Sequence, residues 1–187
     1  MSKSSLIPLS VPSIKGRELN YVANCIKTEW VSTAGKYVQM FEKKISKYMR
    51  SKYAISCVNG TSALQLSLRL SGVRPEDEVI VPSLTFIATI NAVRYNGAEP
   101  VFMDCDQYFT LDSKKTIQFI NENTFFKNGY SFNKKTKKRI SAIIPVHVWG
   151  NAVWMDELVP LCKKRNIVVI EDASESLGTK YLKGIYS

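Results

Sequence analysis

Histidine is almost absent from this chain. His147 stands alone among 187 residues, which excludes a multi-histidine metal centre. The four cysteines, Cys25, Cys57, Cys105 and Cys162, are widely scattered and form no Cys-x-x-Cys pair. That spacing suits neither a zinc site nor a disulfide framework. No apolar run approaches a membrane span, and the polar opening Met1-Ser-Lys-Ser-Ser5 leads into no signal-peptide core. The expected location is the cytoplasm, with no membrane partner. Gly-x-Gly-x-x-Gly is also missing, which weakens a Rossmann-type nucleotide site.

What the chain does have is an excess of positive charge: 26 Lys and Arg against 16 Asp and Glu, a net +10. Such a balance could point to nucleic acid. Much of the excess falls between Lys127 and Arg139, where aromatic and basic residues alternate much as they do in single-strand binders. The same stretch has the Asn-Gly and Ser/Asn/Lys content of an exposed hairpin or loop. A solvated loop is the reading adopted, and no nucleic-acid partner is expected. The remaining composition, 45% hydrophobic and 22% charged, describes an ordinary globular domain with enough length for a sizeable core.

Along the chain, strand, turn and helix recur. Helical spacing of apolar residues covers 15–28 (Leu19, Val22, Cys25, Ile26) and 36–50 (Val38, Phe41, Ile45, Tyr48), joined by a loop at Trp30–Gly35. Tyr53–Val58 reads as a short buried strand, followed by a helix through Leu64, Leu66, Leu68 and Leu70 that Gly72 ends. Further strands are expected at 78–82, 100–104, 140–146 and 167–170, with helices near 86–95, 113–122 and 155–164. Continuous Val/Ile strands alternating with helices imply an α/β domain of three layers with a mostly parallel sheet.

Ligands of such sheets bind beyond the C-terminal ends of the strands, and four features gather there. Asn59-Gly60-Thr61-Ser62 opens a helix and offers N–H groups and hydroxyls to a phosphate, or serves only as an N-cap. It lacks the Lys-Ser/Thr of a Walker loop. Phe86 sits at a strand-to-helix junction, where it would stack on a flat ring or fill the core. His147 follows another strand and is either a ligand contact or a structural histidine. Asp172 ends the run Ile167–Ile170 and either begins a helix or holds a proton on a heteroaromatic nitrogen.

Asn59-Gly-Thr-Ser-Ala-Leu, Pro82-x-x-Thr-Phe-x-Ala-Thr, Gly97-Ala-x-Pro-Val-Phe-x-Asp, Pro145-Val-His-x-x-Gly and Glu171-Asp-Ala-Ser-Glu occur in this order. Together, from about Pro8 to the chain's end, they resemble the DegT/DnrJ/EryC1/StrS family of nucleotide-sugar aminotransferases dependent on pyridoxal 5'-phosphate (PLP). The resemblance implies the large domain of aspartate-aminotransferase-like, fold type I enzymes. Residues 1–35 would form an N-terminal helix and loop segment, and 36–187 the α/β core. It further implies that Gly60, Thr61 and Ser62 hold the cofactor phosphate and that Phe86 stacks on its ring. Asp172 would pair with the ring nitrogen, and Glu175, at a position often Gln or His, would meet the phenolic oxygen. His147 becomes a candidate for substrate binding. Thr28–Lys36 and Val146–Asn151 resemble a subgroup that acts on UDP-linked 4-keto-6-deoxy-N-acetylhexosamines in bacillosamine or legionaminic acid routes. Glutamate as amino donor and a homodimer with shared active sites are implied as well.

Amino transfer in this family also needs a lysine that bonds to the cofactor and shuttles a proton. The resemblance places it downstream of Asp172, in a Ser-Phe-x-x-x-Lys-like segment. Ala173 to Ser187 contains none, and Lys180 and Lys183 stand in a different context. The expectation is a chain without the small C-terminal domain and, by itself, inactive. A sugar dehydratase of the same family and a non-catalytic remnant of the fold remain open.

Overall fold

In the computed structural model, which describes residues 11–33, 35–181 and the backbone of 184–185, the chain divides into two units, Met1–Ser56 and Cys57–Ser187. The division falls after the second helix. Met1–Ser5, Pro8, Lys183 and Ser187, named above, and Ala34 within the Trp30–Gly35 loop lie outside the described residues. Among the described residues, no helix is long and apolar enough to cross a membrane.

The first unit holds α1 (Glu18–Lys27) and α2 (Lys36–Met49). Tyr37 Oη donates to Asn24 Oδ1 at 2.9 Å, and the Tyr21 and Tyr37 rings meet at 5.0 Å. Beyond α2, Arg50 takes the left-handed conformation that lets the Ser51 N–H reach back to the Ser46 carbonyl. Tyr53–Val58 is not a strand: no ladder joins it to another described segment, the Ser56 N–H goes instead to Glu42 Oε1 at 2.9 Å, and Tyr53, Ile55 and Val58 are exposed. Its short apolar run satisfies the local pattern of a buried strand, but a strand also requires a ladder partner.

The second unit is built on a sheet of order β2-β1-β5-β4-β3, with β6 also on β5. In chain order come α3 (Gly60–Leu70), β1 (Glu78–Pro82), α4 (Ile87–Tyr95), β2 (Glu99–Met103), α5 (Ser113–Glu122), β3 (Thr124–Lys127), β4 (Tyr130–Asn133), β5 (Arg139–Ile143), α6 (Leu158–Lys164) and β6 (Val168–Val169). A two-stranded pair, β7 (Lys180–Tyr181) and β8 (Gly184–Ile185), follows. β1, β2, β5 and β6 are mutually parallel, while β3 and β4 are antiparallel.

Part of the basic stretch is therefore sheet rather than solvated loop. Asn128-Gly129, with φ of 51° and 81°, makes the two-residue turn between β3 and β4. Ser131 is buried and donates to the Arg165 carbonyl, and Asn133 Nδ2 donates to Glu78 Oε2 at 2.8 Å. Only the lysine-rich connection from Lys134 to Lys138 stays outside regular structure.

Alternation along β1 sorts the core into two faces, and a register shift in the β1–β5 pairing puts Ile140 on the side of Ile143 and not of Ala142. Val79, Val81, Ala142 and Ile144 pack with Leu64 and Leu68 of α3 and Ala92 and Val93 of α4. Ile80, Ile140 and Ile143 pack with Ile120 of α5 and Leu158 and Cys162 of α6. The result is three layers, helices on both faces of a mostly parallel sheet.

Candidate active site

The N-terminus of α3 is set by Asn59, whose Oδ1 accepts the Ser62 N–H at 2.8 Å while its carbonyl accepts the Ala63 N–H. The Gly60 and Thr61 N–H groups are the remaining first-turn donors, and a helix has no internal acceptor for them. A Cβ at Gly60 would stand 3.6 Å from Ser174 Oγ, an ordinary contact, which places this turn beside the segment after β6.

Asp172 lies just past β6, bridged in parallel to Val146, and its backbone N–H bonds to the Pro145 carbonyl. The residue is 7% exposed. Oδ2 accepts the Thr89 hydroxyl at 2.8 Å; Oδ1 accepts the Ser174 hydroxyl at 2.7 Å and its N–H at 3.3 Å. Because Thr89 donates to the carboxylate, its oxygen accepts from Thr85, 3.1 Å away. The carboxylate is thus fixed by α4 on one side and by its own turn on the other.

A cavity of about 620 Å³ opens here, lined in part by Asn59, Gly60, Thr61, Phe86, Asp172 and Glu175. Phe86 precedes α4 and is 77% exposed, so it serves the cavity and not the core. Ser62 lies beside this lining rather than in it, its N–H held by Asn59. Glu175 reaches the wall, but its Oε2 accepts the Trp149 N–H at 2.6 Å.

His147 is placed differently from the substrate contact expected of it. It is 1% exposed and outside the cavity lining. Nδ1 accepts the Val153 N–H at 3.1 Å, so the ring proton sits on Nε2, which faces Glu171 Oε2 at 3.0 Å. Both nitrogens are committed to holding the segment after β5.

Three residues with clear roles were assigned none from the sequence. Thr89 stands one helical turn after Phe86, within the motif Thr85-Phe-Ile-Ala-Thr89. Ser174 is the i+2 residue of an Asp-x-Ser turn. Trp149, also on the cavity wall, gave no local signal. Among the described residues, no cluster of His, Cys, Asp and Glu could hold a metal ion.

The sequence model of the DegT/DnrJ/EryC1/StrS aminotransferase family matches residues 12–184. A GDP-perosamine synthase from Caulobacter vibrioides is 40% identical over 182 residues, covering 97% of this chain and 45% of its own length. The solved structure of a DegT DnrJ EryC1 StrS aminotransferase from Brucella abortus superposes with a TM-score of 0.75 at 33% identity, over 86% of this chain and 41% of its own. NtdA of Bacillus subtilis, solved with the cofactor PMP (pyridoxamine phosphate) bound, gives a TM-score of 0.67 at 30% identity, over 83% of this chain and 32% of its own. The chain therefore spans under half the length of the curated relative compared. That relative's name carries a GDP-linked sugar where the motifs resembled a UDP-sugar subgroup.

Proposed function

Because the chain belongs to the DegT/DnrJ/EryC1/StrS aminotransferase family, we propose that its cavity is the cofactor-binding part of a pyridoxal-phosphate-dependent aminotransferase. The observation that carries this reading is Asp172: a buried carboxylate with both oxygens fixed, on the same cavity as a free helix N-terminus and an exposed aromatic ring. The residues fit the group. The volume lies within the range of small-molecule sites, about 300–1,000 Å³, and the donors at Gly60 and Thr61 suit a phosphate.

When bound, PLP supplies an electron sink for the carbon that carries the amino group. Asp172 holds a proton at the pyridine nitrogen, and Thr89 and Ser174 hold Asp172. Phe86 covers a face of the ring. The first turn of α3, with the Thr61 hydroxyl, binds the phosphate. Within the full-length protein these residues form the N-terminal part of the cofactor-binding domain, and the active protein is a homodimer.

The reaction is transfer of an amino group from glutamate to C4 of a nucleotide-linked 4-keto-6-deoxy sugar, for a bacterial surface glycan. The 40% identity to a GDP-perosamine synthase supports a GDP-linked acceptor. The motifs at Thr28–Lys36 and Val146–Asn151 support a UDP-linked acetamido sugar. The test is to load full-length protein with PLP, add glutamate, and follow conversion to PMP by absorbance. GDP- and UDP-linked 4-keto sugars are then offered separately, with the products read by mass spectrometry. An amino sugar from either acceptor supports the reading. Failure to form PMP from glutamate refutes amino transfer, and a deoxygenated keto sugar would assign the protein to dehydration instead.

A further inference from the structure

We propose that Glu175 and Thr179 form a clamp that sets the main-chain conformation of Trp149, and that Glu175 acts on the cavity through that indole rather than by touching the cofactor. The inference rests on the reading of the cavity as a PLP site.

The turn after β5 runs through Val148–Gly150. Trp149 takes φ 54° and ψ 26°, a left-handed conformation that sterics disfavour for a bulky residue, and Gly150 follows with φ 83°. Two side chains from the segment after Asp172 grip this turn. Glu175 Oε2 accepts the Trp149 N–H at 2.6 Å, and the Thr179 hydroxyl donates to the Gly150 carbonyl at 3.1 Å. On its other side the indole meets the ring of Phe109 edge-on, with centroids 5.2 Å apart. Asn151 Nδ2 donates to the Tyr108 carbonyl at 3.3 Å, tying the same two loops together.

Such an arrangement holds a large aromatic residue on the cavity wall while leaving it 65% exposed. With Phe86, Trp149 is one of two exposed aromatic residues there, and a planar ligand covers such surfaces well. A direct contact between the Glu175 carboxylate and the phenolic oxygen of PLP would set two anionic oxygens against each other. Binding the Trp149 N–H has no such conflict.

The test measures PMP affinity of the full-length protein by equilibrium dialysis, together with the absorption maximum of bound PMP. Glu175→Gln keeps an oxygen that accepts the Trp149 N–H, so affinity stays within about twofold and the spectrum is unchanged. Glu175→Ala and Thr179→Val each remove one grip and weaken binding by about 3- to 10-fold. Thr179→Ser retains the hydroxyl and restores parental affinity. Thr179 lies outside the cavity lining, so direct contact does not account for its effect. In a Trp149→Ala background, neither Glu175→Ala nor Thr179→Val causes further loss, because both act through the removed indole. The clamp is refuted by a neutral Thr179→Val, by a Glu175→Ala loss that persists undiminished without Trp149, or by a Glu175→Gln shift in the PMP spectrum. A parent protein that does not bind PMP refutes the assignment of the cavity itself.

Discussion

Replacing Asp172 by Asn tests the proposed site most directly, because it keeps the shape of the group and removes its charge. In the folded protein the carboxylate accepts three hydrogen bonds, two from Ser174 and one from Thr89. An amide oxygen placed at Oδ1 keeps the Ser174 pair. The amide nitrogen then faces Thr89 Oγ1, so the Thr89 hydroxyl must turn away and act as acceptor. All three hydrogen bonds lose their charged acceptor, falling from about 1.5–3 to about 0.5–1.5 kcal/mol each, and no longer burying a charge offsets part of that loss. The expected loss of stability is about 1–2 kcal/mol, read as a lower urea midpoint with an unchanged slope. PMP affinity falls less than about tenfold, because the α3 terminus and Phe86 are untouched. Turnover with glutamate and a keto sugar falls by about 10²–10⁴-fold, the range for a positioned proton-holding group. The assay is steady-state turnover on full-length protein at matched PLP occupancy. Turnover within about threefold of the parent at equal occupancy would remove the role given to Asp172.

Leu68 is wholly buried between α3 and the sheet, so Leu68→Ala should destabilise by about 2–5 kcal/mol in urea denaturation; a change below about 1 kcal/mol would contradict the packing described. Burial pushes the Cys162 thiol up to about 12, whereas Cys57 is exposed. Iodoacetamide at pH 8 should therefore modify Cys57 and spare Cys162 until urea unfolds the chain, and equal rates for both would count against the α6 core. The hydrogen bond from Lys115, joined by the Cys105 N–H, holds the Asp104 carboxyl below its ordinary value. A lowered folded value means that this contribution to stability is present above the unfolded carboxylate range and fades as pH falls through the folded value. In an NMR titration, Lys115→Ala should move the Asp104 midpoint up, and an unmoved midpoint would show that the contact is absent in solution.

Periodicity located most of the second unit because its strands are continuous Val/Ile runs and its helices have apolar stripes. The span 113–122 coincides with α5, where Asp112 caps the first turn through the Lys115 N–H. Tyr53–Val58 shows where that reasoning stops. A short apolar run suits a buried strand and says nothing of the ladder it must join. The Asn128-Gly129 dipeptide offers a hairpin, but the sequence favours a solvated loop because β4 inverts the usual pattern, with polar Ser131 and Asn133 inward and Tyr130 and Phe132 on the other face.

The chemistry of the site divides in the same way. A helix start at Asn59-Gly-Thr-Ser, an aromatic before α4 and an acid after β6 were legible because each depends on a few neighbouring residues. The chain's order of motifs was enough to indicate a family. Only the folded arrangement joined Thr89 to Asp172 across 83 positions, turned His147 inward to Val153 and Glu171, and occupied a Glu175 oxygen with the Trp149 N–H. Those partners are set by strand order and by where each turn lands at the sheet's C-terminal edge, and hydrogen bonds between distant segments leave no local trace in sequence.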